Sequence, residues 1–221
     1  AVEELSKQLG PNDRVSLMSF ARDTRLLVDG LSGDRAGELV GIMKNRPSEG
    51  GTNLEQAVQV AQQHLLARQK KGVQSRIVVL TDGAANLGDA NPESLTAMVE
   101  KMRDAGIAFD ACGIGFDGLD DGILEALTRK GDGRYYLLDK PEDAGEGFGK
   151  KIAGALRPAA KNVKVQLVFN PDRVGKYKLL GFEKHRLKKE DFRNDSVDAA
   201  EMAAEESGSA LYQIEPLADG S

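Results

Sequence analysis

The chain has 221 residues, 30 basic against 35 acidic for a net charge of −5, 5% aromatics and no tryptophan. That length buries a real core and suits one main domain with an appendage, while the absence of any single-sign face disfavours a nucleic-acid partner. No run of about 18 apolar residues offers a transmembrane segment, AVEELSKQLG is neither basic nor apolar enough for a signal peptide, and Cys112 has no second cysteine to pair with.

The opening residues read as the end of an amphipathic helix, with Val2, Leu5 and Leu9 on one face and Gly10 closing it. A chain that opens inside a helix, with no start signal, reads as a fragment. Arg14 to Phe20 and Arg25 to Val28 are strand-like and separated by only Ala21 to Thr24, so a hairpin forming an antiparallel edge on an otherwise parallel sheet is expected. Asp34 is placed to cap a helix carrying Leu39, Val40, Ile42 and Met43 and ended by Pro47. The Ser48 to Asn53 loop then opens a helix with Leu54, Ala57, Val58, Ala61 and Leu65 at helical spacing.

The central stretch is Ser75 to Asn86. Its run Ile77-Val78-Val79-Leu80, three of four β-branched, has the pattern of a strand buried on both faces of a parallel sheet. Asn91-Pro92 starts a helix with Leu95, Met98, Val99 and Met102 as its stripe and Gly106 as C′. Ile107 to Ile114 is a further strand, Asp121 to Arg129 a helix burying Ile123, Leu124 and Leu127, Tyr135 to Leu138 a strand, and Pro141 to Leu156 a glycine-weakened helix. This alternation selects an α/β fold, a doubly wound, mostly parallel, Rossmann-like sheet flanked by helices. Past Pro158 the rhythm changes: Val163 to Phe169, Tyr177 to Phe182 and Ala210 to Ile214 are strand-like, with a charged helix-and-loop stretch over Leu187 to Ser207. The expected organisation is a first domain over 1–157 and a β-rich module over 158–221.

Two residues stand where ligands bind in open α/β sheets: Asp82 at the tip of the central strand, and Thr52 opening a helix after Gly50 and Gly51. A hard cation such as Mg²⁺ wants an octahedron of oxygens, keeps several waters and needs few carboxylates, which a threonine hydroxyl and one aspartate begin to meet. Simpler roles compete: Thr52 as an N-cap, Asp82 orienting the turn after its strand.

The order LGPNDRVSLMSFA, GGTNL, RIVVLTDGAANLG, ACGIGFD, KGDGRYYLL resembles the von Willebrand factor type A domain from Ala1 to about Leu156. VKVQLVFNPDRVGKYKLLGFE, LKKEDF and ALYQIEPL are similar to the carboxyl-terminal module of bacterial YfbK-like proteins. The resemblance implies a metal-ion-dependent adhesion site, with Thr52 from the second loop and Asp82 from the TDG turn as ligands of Mg²⁺ (or Mn²⁺ or Ca²⁺). The cation would capture an acidic residue of a partner protein. The first-loop DxSxS is absent, since Asp13, Ser16 and Ser19 have the wrong spacing and lie in the following strand. The resemblance thus implies about 25 upstream residues of strand, loop and partial helix, and a site incomplete in this chain. It also implies a bacterial envelope protein, periplasmic or extracellular, lipid-anchored in its full-length form.

Gly113, Gly115 and Gly118 spell GxGxxG after a strand, the setting of a dinucleotide-binding enzyme, but Asp117, Asp120 and Asp121 would repel a pyrophosphate. Hydrolase and zinc chemistry lack support: no G-x-S-x-G occurs, His64 reads as solvated on the outer side of its helix, and His185 lies in a basic run. The reading is therefore a non-enzymatic, metal-assisted protein-binding domain. A metal-independent interaction module, whose tail strands pair with strands of another segment or chain, is the remaining alternative.

Overall fold

The computed structural model describes residues 1–47, 49–82, 92–115, 121–140, 148–156, 158–181, 187–194, 200–203 and 208–217. The chain divides into two compact units, Ala1–Leu156 and Arg157–Ser221.

In the first unit, helix α1 (Val2–Ser6) leads to strands β1 (Arg14–Phe20) and β2 (Thr24–Ser32), then α2 (Glu38–Lys44) and α3 (Leu54–Leu66). Strand β3 (Ser75–Thr81), α4 (Pro92–Asp104), β4 (Ile107–Ile114), α5 (Asp121–Lys130), β5 (Tyr135–Leu138) and α6 (Lys150–Ala155) complete it. Strands β3, β4 and β5 form one parallel sheet, Ile77 opposite Phe109 and Cys112 opposite Tyr136. The β1–β2 hairpin is antiparallel, as its short turn dictates, but forms a separate two-stranded sheet. Among the described residues no ladder joins β1 to β3, so the expected continuous sheet is interrupted there.

Alternation along β3 explains why helices cover both faces. Ile77 and Val79 enter a core with Leu54 and Val58 of α3, Leu95, Val99 and Met102 of α4, Phe109 of β4, and Leu124 and Leu127 of α5. Val78 and Leu80 point the other way, against Cys112, Tyr136, Leu138, Phe148 and Ile152, with Ala1 and Leu5. The apolar stripes expected on α3, α4 and α5 are thus the buried ones. Gly133 is required by packing: a Cβ there would sit 1.8 Å from the Phe109 carbonyl oxygen, where the chain crosses β4 to enter β5.

One polar feature lies inside this core. Asp110 of β4, fully buried, accepts from Arg76 Nη1 at 2.5 Å and from the Arg134 backbone N–H at 2.7 Å, while Arg76 Nη2 donates to the Ala155 carbonyl at 3.2 Å. Burial pushes the Asp110 carboxyl up, and the guanidinium and amide pull it back down. The pair links β3, β4, the entry to β5 and the end of α6. Its signal was the lone acid in IAFDACGI.

Several local expectations are corrected. Helix α1 ends at Ser6, and Gly10 does not close it; the Gly10 N–H instead donates to Asp13 Oδ2 at 2.8 Å. Asp34 lies inside a short 3-10 turn, Gly33–Arg35, and α2 starts later at Glu38. Strand β2 runs on to Ser32, past the expected Val28, because Arg14 and Val15 find partners in Ser32 and Leu31. Of the helix expected over Pro141 to Leu156, residues 141–147 lie outside the described residues.

The second unit contains two antiparallel pairs, β6 (Pro158–Val163) with β8 (Ala200–Ala203) and β7 (Val174–Leu180) with β9 (Leu211–Pro216). The strand expected over Val163 to Phe169 falls earlier, as β6, because the ladder partner lies there; among the described residues, 164–170 join no ladder. The stretch expected as helix and loop, Leu187 to Ser207, contains a 3-10 turn over Lys189–Arg193 but also β8, whose AEMA sequence carries little strand pattern.

Candidate functional site

Thr52 is set by the loop that opens α3. Gly51 adopts φ +99°, a left-handed conformation suited to glycine, and a Cβ there would lie 3.0 Å from Arg22 Cγ. The loop is then pinned to the β1–β2 turn: the Asn53 N–H donates to the Ala21 carbonyl at 2.7 Å, and the Thr24 N–H to Gln56 Oε1 at 3.1 Å. The helix cap is Asn53, whose Oδ1 accepts from the Gln56 N–H at 3.1 Å. The capping role open to Thr52 in the sequence is therefore held by its neighbour, and the half-buried Thr52 hydroxyl is released from it.

Asp82 follows β3 directly. Thr81 is still buried and paired with Gly113 in the ladder, and Asp82 is exposed just beyond it. Helix α3, at about 1.5 Å per residue, and β3, at about 3.3 Å per residue, are of similar length. A helix joined to the next strand of an α/β unit runs back along the sheet, so the start of α3 and the end of β3 share one rim. Thr52 thus lies just before α3 and Asp82 just after β3, positions that this connectivity predicts to face one edge.

The donor set matches a hard cation in kind, one carboxylate and one hydroxyl, but falls short in number. Among the described residues no group of three or more His, Cys, Asp or Glu could hold a metal. The DxSxS-like residues are committed elsewhere. Asp13 holds the Gly10 turn, Ser16 Oγ lies 2.9 Å from His64 Nε2 and accepts from the Gly30 N–H at 3.0 Å, and Ser19 Oγ accepts from Arg46 at 3.1 Å.

His64 corrects the sequence reading, for its side chain is 9% exposed, not solvated. Helix α3 lies against the hairpin, so its outer side is a second interface. Nε2 also approaches Asp29 Oδ1 at 3.3 Å. Both partners face the same ring nitrogen, whereas a nucleophilic triad needs one on each. Cys112 is fully buried and its thiol is pushed up to about 12 by that burial, which removes it from thiolate chemistry. Gly115 has φ +79° just after β4; Gly118, Asp117 and Asp120 lie outside the described residues, as does His185. Asp121, an acid in the first turn of α5, accepts from the Tyr135 hydroxyl, and nothing among the described residues favours a dinucleotide.

Beside this rim an open cleft of about 280 Å³ is lined by Ala1, Val2, Val40, Met43, Leu80 and Ile114, with Glu3 and Lys44 at its margin.

The von Willebrand factor type A domain family matches residues 1–84, and the family described as YfbK, C-terminal, matches residues 154–221. In that order, residues 1–84 are similar to a von Willebrand factor type A domain and residues 154–221 to a YfbK C-terminal module. YfbK of Escherichia coli strain K12 is 30% identical over 210 residues, covering 95% of this chain and 36% of that protein. The chain therefore spans about a third of the length of this curated relative. Among solved structures, a von Willebrand factor type A protein from Catenulispora acidiphila superposes with TM-score 0.60 at 17% identity, over 73% of this chain and 38% of that one. Proximal thread matrix protein 1 of the mussel byssus, with a zinc-occupied MIDAS motif, gives TM-score 0.51 at 21% identity, over 66% and 36%. These likenesses show the fold. No helix among the described residues is long and apolar enough to cross a membrane.

Proposed function

We propose that the type A unit is a non-enzymatic protein-binding domain of a bacterial envelope protein, in which Thr52 and Asp82 hold a divalent cation against which a partner's acidic side chain docks. The observation that carries the reading is the division of labour at the start of α3: Asn53 caps the helix, so the Thr52 hydroxyl is available at the rim that also bears Asp82. Bound there, Mg²⁺ or Mn²⁺ would supply a Lewis-acidic position that accepts a carboxylate oxygen. Asp82 contributes the balancing charge, and Gly51 with the Asn53–Ala21 hydrogen bond fixes the backbone on either side of Thr52. The remaining coordination positions fall to waters and the partner's carboxylate. The zinc-occupied MIDAS motif of the mussel protein, a neighbour in fold, supports a cation-binding reading.

Calorimetric titration of Mn²⁺ and Mg²⁺ into the full-length gene product and its Asp82→Ala variant tests the reading. Loss of a carboxylate ligand is expected to weaken binding by more than about tenfold. Equal affinity in the two proteins removes Asp82 from the site.

A further inference from the structure

The second unit lacks what the first has in abundance. Among those of its residues whose burial is described, no hydrophobic side chain is buried, although its sequence is patterned to bury one face. Cross-strand partners in the β7–β9 ribbon share a face, so Tyr177, Leu179, Tyr212 and Ile214 lie on one side, with Lys176, Lys178, Gln213 and Glu215 on the other. The polar face is at home in water, with Lys176 Nζ 3.4 Å from Glu215 Oε2. The apolar face is covered in part by Phe169, whose ring lies 4.6 Å from that of Tyr177 and 5.3 Å from that of Tyr212. Even so, Tyr177 remains 61% and Ile214 49% exposed.

An independent feature adjoins this face. The segment 164–170 reads as a strand, Val165, Leu167 and Phe169 alternating with Lys164, Gln166 and Val168, yet joins no ladder among the described residues. It is held at both ends: Lys164 Nζ donates to the carbonyls of Asn194 at 2.6 Å and Asp191 at 3.3 Å, and Phe169 stacks on the ribbon. Between those ends Val165 is 80% and Val168 84% exposed. A strand-patterned segment, fixed at its ends and unpaired along its length, is an edge ready for a partner strand.

We propose that a β-strand segment of the same polypeptide, lying upstream of Ala1, pairs along 164–169 and covers the Tyr177–Ile214 face, so that the second unit is completed by chain that precedes the type A domain in sequence. Two observations select this occupant over a second copy or a separate partner. The module matches a C-terminal family, and the E. coli relative extends far beyond the matched region, so the bulk of the additional chain in that relative lies ahead of it. Two-stranded ribbons are marginal in water and need a further strand or layer to be stable, a need that an intramolecular segment meets at high effective concentration.

Hydrogen exchange with peptide-level mass spectrometry, run on the full-length gene product and on the 221-residue chain, tests this. In the full-length protein, amides of 164–169 and 176–180 are expected to exchange at least about tenfold more slowly than in the 221-residue chain, while those of 107–112 are the same in both. Val165→Asp in the full-length protein should abolish that protection and leave 107–112 unchanged; Ile214→Asp gives a second route to the same result should Val165→Asp misfold. Equal exchange in the two chains overturns the proposal. So does protection in the 221-residue chain that appears only with a concentration-dependent dimer, which makes the occupant a second copy, or protection that needs another protein. A gene encoding nothing ahead of Ala1 also overturns it.

Discussion

The two units use strands of similar length to different ends. In Ala1–Leu156, both faces of β3 and β4 are covered by helices, and side chains such as Phe109, Leu95 and Ile152 are almost wholly withdrawn from water. In Arg157–Ser221, the β7–β9 ribbon has a clear apolar face that, among the described residues, Phe169 covers only in part. Period-two patterning states which face wants burial; it does not supply the covering layer. The first unit carries its own layer in α1, α3, α4, α5 and α6, and the described residues of the second supply none.

That contrast can be broken or sharpened by substitution. The largest effect should come from Phe109→Ala, which leaves a cavity between β4 and α4–α5 and is expected to cost about 3–5 kcal/mol by urea denaturation. Tyr177→Ala in the same 221-residue chain should stay within about 0.5 kcal/mol, as for an exposed side chain. Comparable losses at the two sites would mean that the ribbon face is already buried.

Ion pairs sharpen the same comparison. Arg76→Met strands the buried Asp110 and is expected to cost about 3–5 kcal/mol, while the double variant with Asp110→Leu recovers much of it. Lys176→Ala breaks an exposed pair in the second unit and should change stability by less than about 0.5 kcal/mol. Between these extremes, Asn53→Ala removes the cap of α3 and is expected to cost about 1 kcal/mol. If Thr52 took over as cap, the loss would fall to near zero and the metal reading would weaken with it.

Much of the first unit was legible because its signals are local and redundant. The β-branched run at Ile77–Leu80, the 3.6-residue stripes of α3, α4 and α5, and Gly106 with φ +77° after α4 all specify their own environments. What was misread depends on partners that spacing does not name. His64 looked solvated because α3 shows one apolar stripe, yet the hairpin packs on its other side through Ser16 and Asp29. VKVQLVF reads as a strand by alternation, but a strand exists only where a ladder is available, and the pairing falls on Pro158–Val163 with Ala200–Ala203. At the candidate site, the sequence singled out Thr52 and Asp82 by residue type and place in the chain; the transfer of the cap to Asn53 needed the hydrogen bond between Asn53 Oδ1 and the Gln56 N–H.

The claim that one ion is shared by the start of α3 and the end of β3 is tested most directly by paramagnetic broadening in an NMR titration with Mn²⁺. The account predicts that amide signals of Gly51, Thr52 and Asn53 and those of Thr81 and Asp82 broaden together, at the same Mn²⁺ concentration, and recover together on chelation. Broadening of one set without the other, or of neither while signals elsewhere on the molecule disappear, would contradict it.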